Sequence, residues 1–189
     1  ETPQFNAPLS VEIDNFILGD ITRIFSNPDT LLADGVLTAK IEVRQFQPEP
    51  MLTATADIRD LSVYGTTMGN LSIRAENKNA NTLFADLRIE GQGNDIAVAG
   101  NYYTQPVQGD NFNFKVDLNA VNLKSVEGLA MGQLRNSSGY LRGNLQLRGT
   151  AEQPAILGEL RTDQLATTVS MLGMQYRLPD ERINFTSSG

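Results

Sequence analysis

The chain contains no histidine, no cysteine and no tryptophan, and each absence removes a class of chemistry. Without histidine there is no Ser-His-Asp or Cys-His arrangement and no imidazole-ligated zinc. Without cysteine there is neither a disulfide framework nor a thiolate-held metal, although the compartment stays open. Without tryptophan, and with the other aromatics scattered, the interfacial belts that mark an outer-membrane barrel are missing. Positive charge is scarce as well, with 15 Lys and Arg against 22 Asp and Glu, a formal net charge of −7 and no long basic run. That balance argues against nucleic acid or an anionic membrane surface as the main partner. Neither a signal peptide nor an apolar run long enough for a membrane-spanning helix is present.

Alternation dominates what is there. In residues 139–165, GYLRGNLQLRGTAEQPAILGELRTDQL, small or apolar residues alternate with polar ones, pause at a turn containing Pro154, and resume. Period-two spacing puts Leu141, Gly143, Leu145 and Leu147 on one face of a strand and Arg142, Asn144, Gln146 and Arg148 on the other. A second strand follows with Ile156, Gly158 and Leu160 on the matching face, which makes a hairpin.

The same design lies 104 residues earlier (139 − 35) in residues 35–61, GVLTAKIEVRQFQPEPMLTATADIRDL. Leu37, Ala39, Ile41 and Val43 fall on Leu141, Gly143, Leu145 and Leu147, and Leu52, Ala54 and Ala56 fall on Ile156, Gly158 and Leu160. Pro50 falls on Pro154. Faces, small-residue positions and turn proline stay in register, which reads as an internal repeat. A short helix is expected to open each unit. The first is Leu18–Phe25, with Asp20 as cap and Ile21, Ile24 and Phe25 facing inward. The second is Leu123–Leu129, with Ser125 as cap and Val126 and Leu129 inward. Residues 1–15 then end a preceding repeat, 16–120 form the first unit, and 121–189 form a truncated second. Because the chain opens at Glu1 and stops inside that unit, it reads as a fragment of something longer.

The remaining expectations are strands. After a loop at Asn27-Pro28-Asp29 and the first hairpin come alternating sets at Leu71, Ile73 and Ala75, at Leu83 to Ile89 including Leu87, and at Ile96, Val98, Gly100 and Tyr102. A loop over 104–111 leads to Phe112, Phe114, Val116 and Leu118. The last segment holds Val169, Met171, Tyr176, Leu178, Ile183 and Phe185, with a turn at Pro179-Asp180-Glu181. Strands apolar on one face must bury it, and three arrangements do so: a closed sandwich or barrel, a membrane barrel, or an open sheet curled around its own apolar side. Small residues at mid-strand favour the narrow, bent sheet. The expected class is therefore all-β, an elongated curved antiparallel sheet with an apolar groove and short helices at the repeat starts.

Among acidic residues, Asp57, Asp60, Asp86, Glu90 and Asp95 read as solvated charges on polar faces and turns rather than as an acid–base pair. The Asn94-Asp95 pair lacks EF-hand spacing. The chain reads as a non-enzyme that needs no cofactor or metal.

The helix, the Gly139-Tyr-Leu-Arg-Gly-Asn-Leu-Gln-Leu-Arg-Gly149 strand and Pro154-Ala-Ile-Leu-Gly-Glu-Leu-Arg161 together resemble the C-terminal region of the TamB family and its AsmA-like relatives. The first unit matches more loosely, with Ala39 and Ala54 where that pattern has glycine, and YRLPDERINF (176–185) resembles a strand of Bacteroidetes-type members. The resemblance implies a U-shaped sheet in the periplasm, anchored in the inner membrane by a helix outside this sequence and reaching an outer-membrane barrel of the TamA type. The implied role is passage of phospholipid between the membranes, with a part in outer-membrane biogenesis. The groove would be lined by Leu37, Ala39, Ile41, Val43, Leu52, Ala54, Ala56, Leu71, Ile73, Leu87, Ile96, Val98, Phe112, Phe114, Val116, Leu141, Gly143, Leu145, Leu147, Ile156, Gly158 and Leu160, and its partners would be acyl chains. The competing readings are an outer-membrane barrel, a secreted adhesive β-repeat with a closed core, and a chaperone-like groove for outer-membrane strands. Unpaired strand edges at both ends also predict self-association.

Overall fold

Alternating sequence becomes a single sheet. The structure, a computed structural model, describes residues 8–25, 32–44 and 51–186. In chain order the elements are β1 Leu9–Ile17, α1 Leu18–Phe25, β2 Ala33–Val43, β3 Leu52–Val63, β4 Thr66–Asn79, β5 Thr82–Gly91, β6 Asn94–Val107, β7 Asp110–Asn122, α2 Leu123–Leu129, β8 Leu134–Gly149, β9 Pro154–Val169, β10 Met174–Leu178 and β11 Arg182–Phe185. The strands run β1 to β10 in sequence order, and β11 pairs with β9 alongside β10. Every pairing is antiparallel. The end strands are not joined to each other, so the sheet is open rather than a closed barrel.

The hairpin repeat recurs pair for pair. Val11, Ile41 and Ala54 stand opposite one another on β1, β2 and β3, and Val116, Leu145 and Gly158 do so on β7, β8 and β9. Even the irregularity recurs: Ile13↔Ala39 gives way to Phe16↔Leu37 as Leu118↔Gly143 gives way to Val121↔Leu141. Asp60 and Gln164, 104 apart, both adopt positive φ, of 52° and 50°. Each lets the following leucine, Leu61 or Leu165, return to the apolar face, and both leucines are buried.

Both helices form where alternation breaks, and both leave the same end of the strands. The cap of α2 is Asn122, whose side chain accepts from the Lys124 amide. The expected cap, Ser125, sits instead in the first turn and is buried, because its hydroxyl faces Asn94. In α1 the Gly19 amide donates to Asp34 Oδ1 at 3.2 Å, while Asp20 pairs with Arg23 in solvent. The expected inward sets are corrected too: Ile21 and Ile24 of α1 are 48% and 75% exposed, since the helix follows an edge strand, and Leu129 at the end of α2 is exposed as well. The side chain of Phe25 lies outside the described residues, as do Asn27-Pro28-Asp29 and Pro50.

Two turns differ from expectation. The loop over 104–111 is mostly strand: β6 runs to Val107, and the reversal is the pair Gln108-Gly109, both at positive φ as tight hairpins require. Pro179-Asp180-Glu181 does not reverse the chain. It bridges β10 and β11 along one edge of β9, with Pro179 O accepting from Gln164 N at 2.8 Å and Glu181 O from Thr162 N at 2.9 Å. Proline has no amide to give the ladder, and the next free amide on this edge, that of Glu181, donates to the Thr162 hydroxyl at 2.8 Å. The reversal lies earlier, at Ser170–Gly173.

Candidate functional site

Antiparallel register carries one residue's face to the next strand, so the apolar sets of individual strands join into rows. One row crosses the sheet as Ile41, Ala54, Ala75, Ala85, Gly100, Phe114, Leu147 and Ile156. The next is Ala39, Ala56, Ile73, Leu87, Val98, Val116, Leu145 and Gly158, and the third is Leu37, Ile58, Leu71, Ile89, Ile96, Leu118, Gly143 and Leu160. A fourth holds Val43, Leu52, Leu83, Tyr102 and Phe112, with Asn77 between Leu52 and Leu83. Leu141 continues the same face beyond Gly143, opposite Val121. Every residue expected to line the groove thus stands on one face.

Three of these rows contain no charged or hydrogen-bonding side chain. Ion pairs of the strands stand on the other face, where Lys40 bridges Glu12 and Glu42, each at 3.1 Å, and Lys115 meets Asp117 at 2.9 Å. There the Arg44 guanidinium, followed by the Lys40 ammonium, holds the Glu42 carboxyl below the usual carboxylate range, and Glu12 and Glu42 push the Lys40 ammonium up. Lys115 likewise holds Asp117 down, against some loss of hydration. The carboxylates read as solvated are so placed: Asp57, Asp60, Asp86 and Glu90 are exposed and Asp95 is half-buried. Among the described residues no three metal-ligating side chains converge.

Among the described residues no second layer of sheet covers the apolar face. Its side chains are mostly half-buried by one another as the sheet curls, and the buried apolar residues of the described chain are only Leu61, Met68, Val116, Val121, Leu123 and Leu165. Five of the six lie towards the helix end of the strands. There α2 packs on β4, β7 and β8 and closes that side of the face like a plug. Buried polar bonds fix the plug. Asn94 Nδ2 donates to Met68 O and to Ser125 Oγ, each at 2.8 Å, and Glu127 Oε2 accepts from Ser137 N at 2.8 Å.

Curvature needs small residues at mid-strand. A Cβ on Gly143 would come within 2.1 Å of Glu159 O, and one on Gly158 within 2.2 Å of Asn144 O, so β8 and β9 approach more closely than any side chain permits. Phe114 lies over Gly100 and stacks with Phe112, ring centroids 6.3 Å apart. This gives the trough a flat aromatic floor on β7.

Sequence reasoning left Ile58, Met68 and Thr162 out of this face. Ile58 continues the alternation of Ala54 and Ala56 and was legible from spacing alone. Met68 enters through a shift in register between β3 and β4 that no periodicity announces. Thr162 carries a polar side chain at an apolar position and is 2% exposed.

No family model, no curated protein and no solved structure matches this chain.

Proposed function

We infer that the apolar face is a trough for phospholipid acyl chains, in a periplasmic segment of a TamB-like bridge between inner and outer membranes that serves outer-membrane biogenesis beside a TamA-type barrel. One observation supports this most. Three uncharged rows run unbroken from β2 to β9, and most of their side chains stay partly exposed, where a stable soluble domain would bury them.

The dimensions suit a lipid tail. At about 4.8 Å per strand, the eight strands that the three rows cross extend the trough about 35 Å, and three rows two residues apart make it about 14 Å wide. A single tail occupies half of a hydrocarbon core about 30 Å thick, so the trough is about two tails long. Burial of each methylene contributes about 0.8 kcal/mol, which offsets withdrawal of the tail from a bilayer. With no polar group in the three rows to clamp a headgroup, a tail slides and headgroup selectivity is low. The same open face weighs against an adhesive repeat, which needs a second layer sealed against it.

Organic extraction of purified protein followed by mass spectrometry tests this. Copurified phospholipid is expected, and folded protein that carries none and fails to take up labelled lipid from vesicles overturns it.

A further inference from the structure

Between β4 and β8 lie four strand steps, about 19 Å along the sheet at about 4.8 Å per step. One helix, α2, about 10 Å across with its side chains, nevertheless packs on both. Two adjacent residues of its last turn make the span. Glu127 Oε2 accepts from Ser137 N on β8 at 2.8 Å. Gly128 lies against Thr66, the first residue of β4, so closely that a Cβ would stand 2.1 Å from the Thr66 Oγ1 and 2.5 Å from its Cβ. The sheet can meet both sides of so narrow a body only by curling, and a bare backbone at 128 lets the curl close further than any side chain would permit.

Backbone conformation does not call for this glycine, since Gly128 is absent from the positive-φ residues. Glycine inside a helix costs about 1 kcal/mol relative to alanine, so what it supplies here is close approach.

The two sides of the contact are unequally fixed. On the helix side Leu123 and Ser125 are buried, Ser125 Oγ accepts from Asn94, and Asn122 caps the first turn. On the strand side, Thr66 belongs to the tip of the β3–β4 hairpin. The β4–β5 ladder begins only at Asn70, and register shifts fall on both sides of Leu61 in the β3–β4 ladder. A further shift separates Asp34 from Val36 where β2 meets β3. The tip is thus joined to the sheet through a bend. It also has room to move, because a Cβ on Gly65 at its turn would meet nothing within 4 Å.

We propose that α2 is a gauge that sets how widely the sheet opens at its helix end, and that Gly128 is the residue that fixes the setting. A larger side chain at 128 pushes Thr66 and the tip outward, because the helix is pinned and the tip is hinged. The opening of the trough then follows the volume at one position. Its bearing on lipid rests on the function proposed above: a wider opening at this end speeds exchange of tails with a bilayer.

The cysteine-free chain accepts a pair of spin labels at Thr67→Cys on the tip and Ser138→Cys on β8, both exposed positions. Gly128→Ala should lengthen the distance between them by about 1.5 Å, the movement that takes a 2.1 Å approach to an ordinary contact of about 3.5 Å. Gly128→Leu should lengthen it further, and Lys124→Ala, exposed on the same helix, should leave it alone. Adding Thr66→Gly to Gly128→Ala removes the atoms that are struck and should restore the parent distance. An unchanged distance in Gly128→Ala of parental circular dichroism, or a lengthening that Thr66→Gly does not reverse, overturns the proposal.

Uptake of a fluorescent phosphatidylcholine from phosphatidylcholine vesicles is measured on the same chains. It should be roughly threefold faster or more in Gly128→Leu than in the parent, since a gating step sets the rate. A longer distance with equal uptake overturns the coupling of the gauge to lipid. A longer distance with no uptake by either chain upholds the gauge and overturns the lipid reading instead.

Discussion

The side-chain amide of Asn94 stands 2.8 Å from Ser125 Oγ and ties the start of β6 to the first turn of α2. The same amide nitrogen donates to Met68 O at 2.8 Å, and the amide oxygen accepts from Asn122 N at 2.9 Å. Asn94, Ser125 and Met68 are buried and Asn122 is half-buried, so the groups that lose Asn94 are poorly placed to replace it with water. Each buried group left without a partner costs about 1–3 kcal/mol. Asn94→Ala should lower unfolding free energy by about 3 kcal/mol in urea titration, whereas Asn119→Ala, at an exposed position, should stay within about 0.5 kcal/mol. Equal effects would show that the plug is not held through Asn94.

Close approach of β8 and β9 gives a second test. Gly143→Ala drives a methyl into Glu159 O, and neither strand can retreat without breaking the ladder on its other side. Gly109 has φ near 90° but open space around it, so Gly109→Ala carries backbone strain without a clash. The expected order is a cost of about 1 kcal/mol at Gly109 and at least twice that at Gly143, read from thermal or urea unfolding. A reversed order would mean that the narrow bend is not set by these glycines.

The trough itself is tested across a single residue step. Leu145 stands between Val116 and Gly158 on the apolar face, and its neighbour Gln146 points the other way, bonded to Asn113 at 2.9 Å. Leu145→Asp places a charge among side chains that cannot solvate it, at an expected cost of about 2–4 kcal/mol. If the proposed lipid trough is right, it should also lower the phospholipid recovered from whatever folded protein remains. Gln146→Glu, opposite Lys115, should change stability by less than about 0.5 kcal/mol and leave lipid content alone. Identical behaviour of the two variants would overturn the face assignment.

Alternation made the faces legible before any coordinates, because period two leaves no freedom about which side a residue takes once its strand exists. The repeat was legible for the same reason: Gly35 and Gly139 mark the same step in two hairpins. Helix positions could be read where alternation failed at Leu18 and Leu123, but their caps could not. Ser125 has the chemistry of a cap, and only the approach of Asn94 from a distant strand draws it into the core. Pro179 looked like a reversal because proline punctuates chains, and its carbonyl bond to Gln164 shows that an edge strand can absorb it. Exposure of Ile24 was illegible for a different reason: an amphipathic pattern states that a helix has an apolar side, not that anything is there to meet it.

Stability should respond to pH in a way that the missing histidine dictates. With no histidine or cysteine, no side chain has its ordinary titration range between about pH 5 and 8, so the urea midpoint should be flat there. Below that window the carboxylates held down by neighbours come into play: Glu42 by Arg44 and Lys40, Glu76 by Lys78, Glu159 by Arg161, and Asp117 by Lys115 with help from Asn144. A group whose folded pKa lies below its unfolded one stabilises the fold above the unfolded value, and that contribution disappears as pH falls through the folded value. Lys40 is the mirror case. Raised by Glu12 and Glu42, it stabilises below the ordinary lysine range and ceases to do so as pH climbs past its raised value. All of these pairs lie on the solvent face, where screening weakens them, so both limbs should be shallow and should flatten further in about 1 M salt. Urea midpoints measured from pH 3 to 11 at low and high salt check this, and a steep step between pH 6 and 8, or an acid limb untouched by salt, would show that a buried ionisable group governs the fold instead.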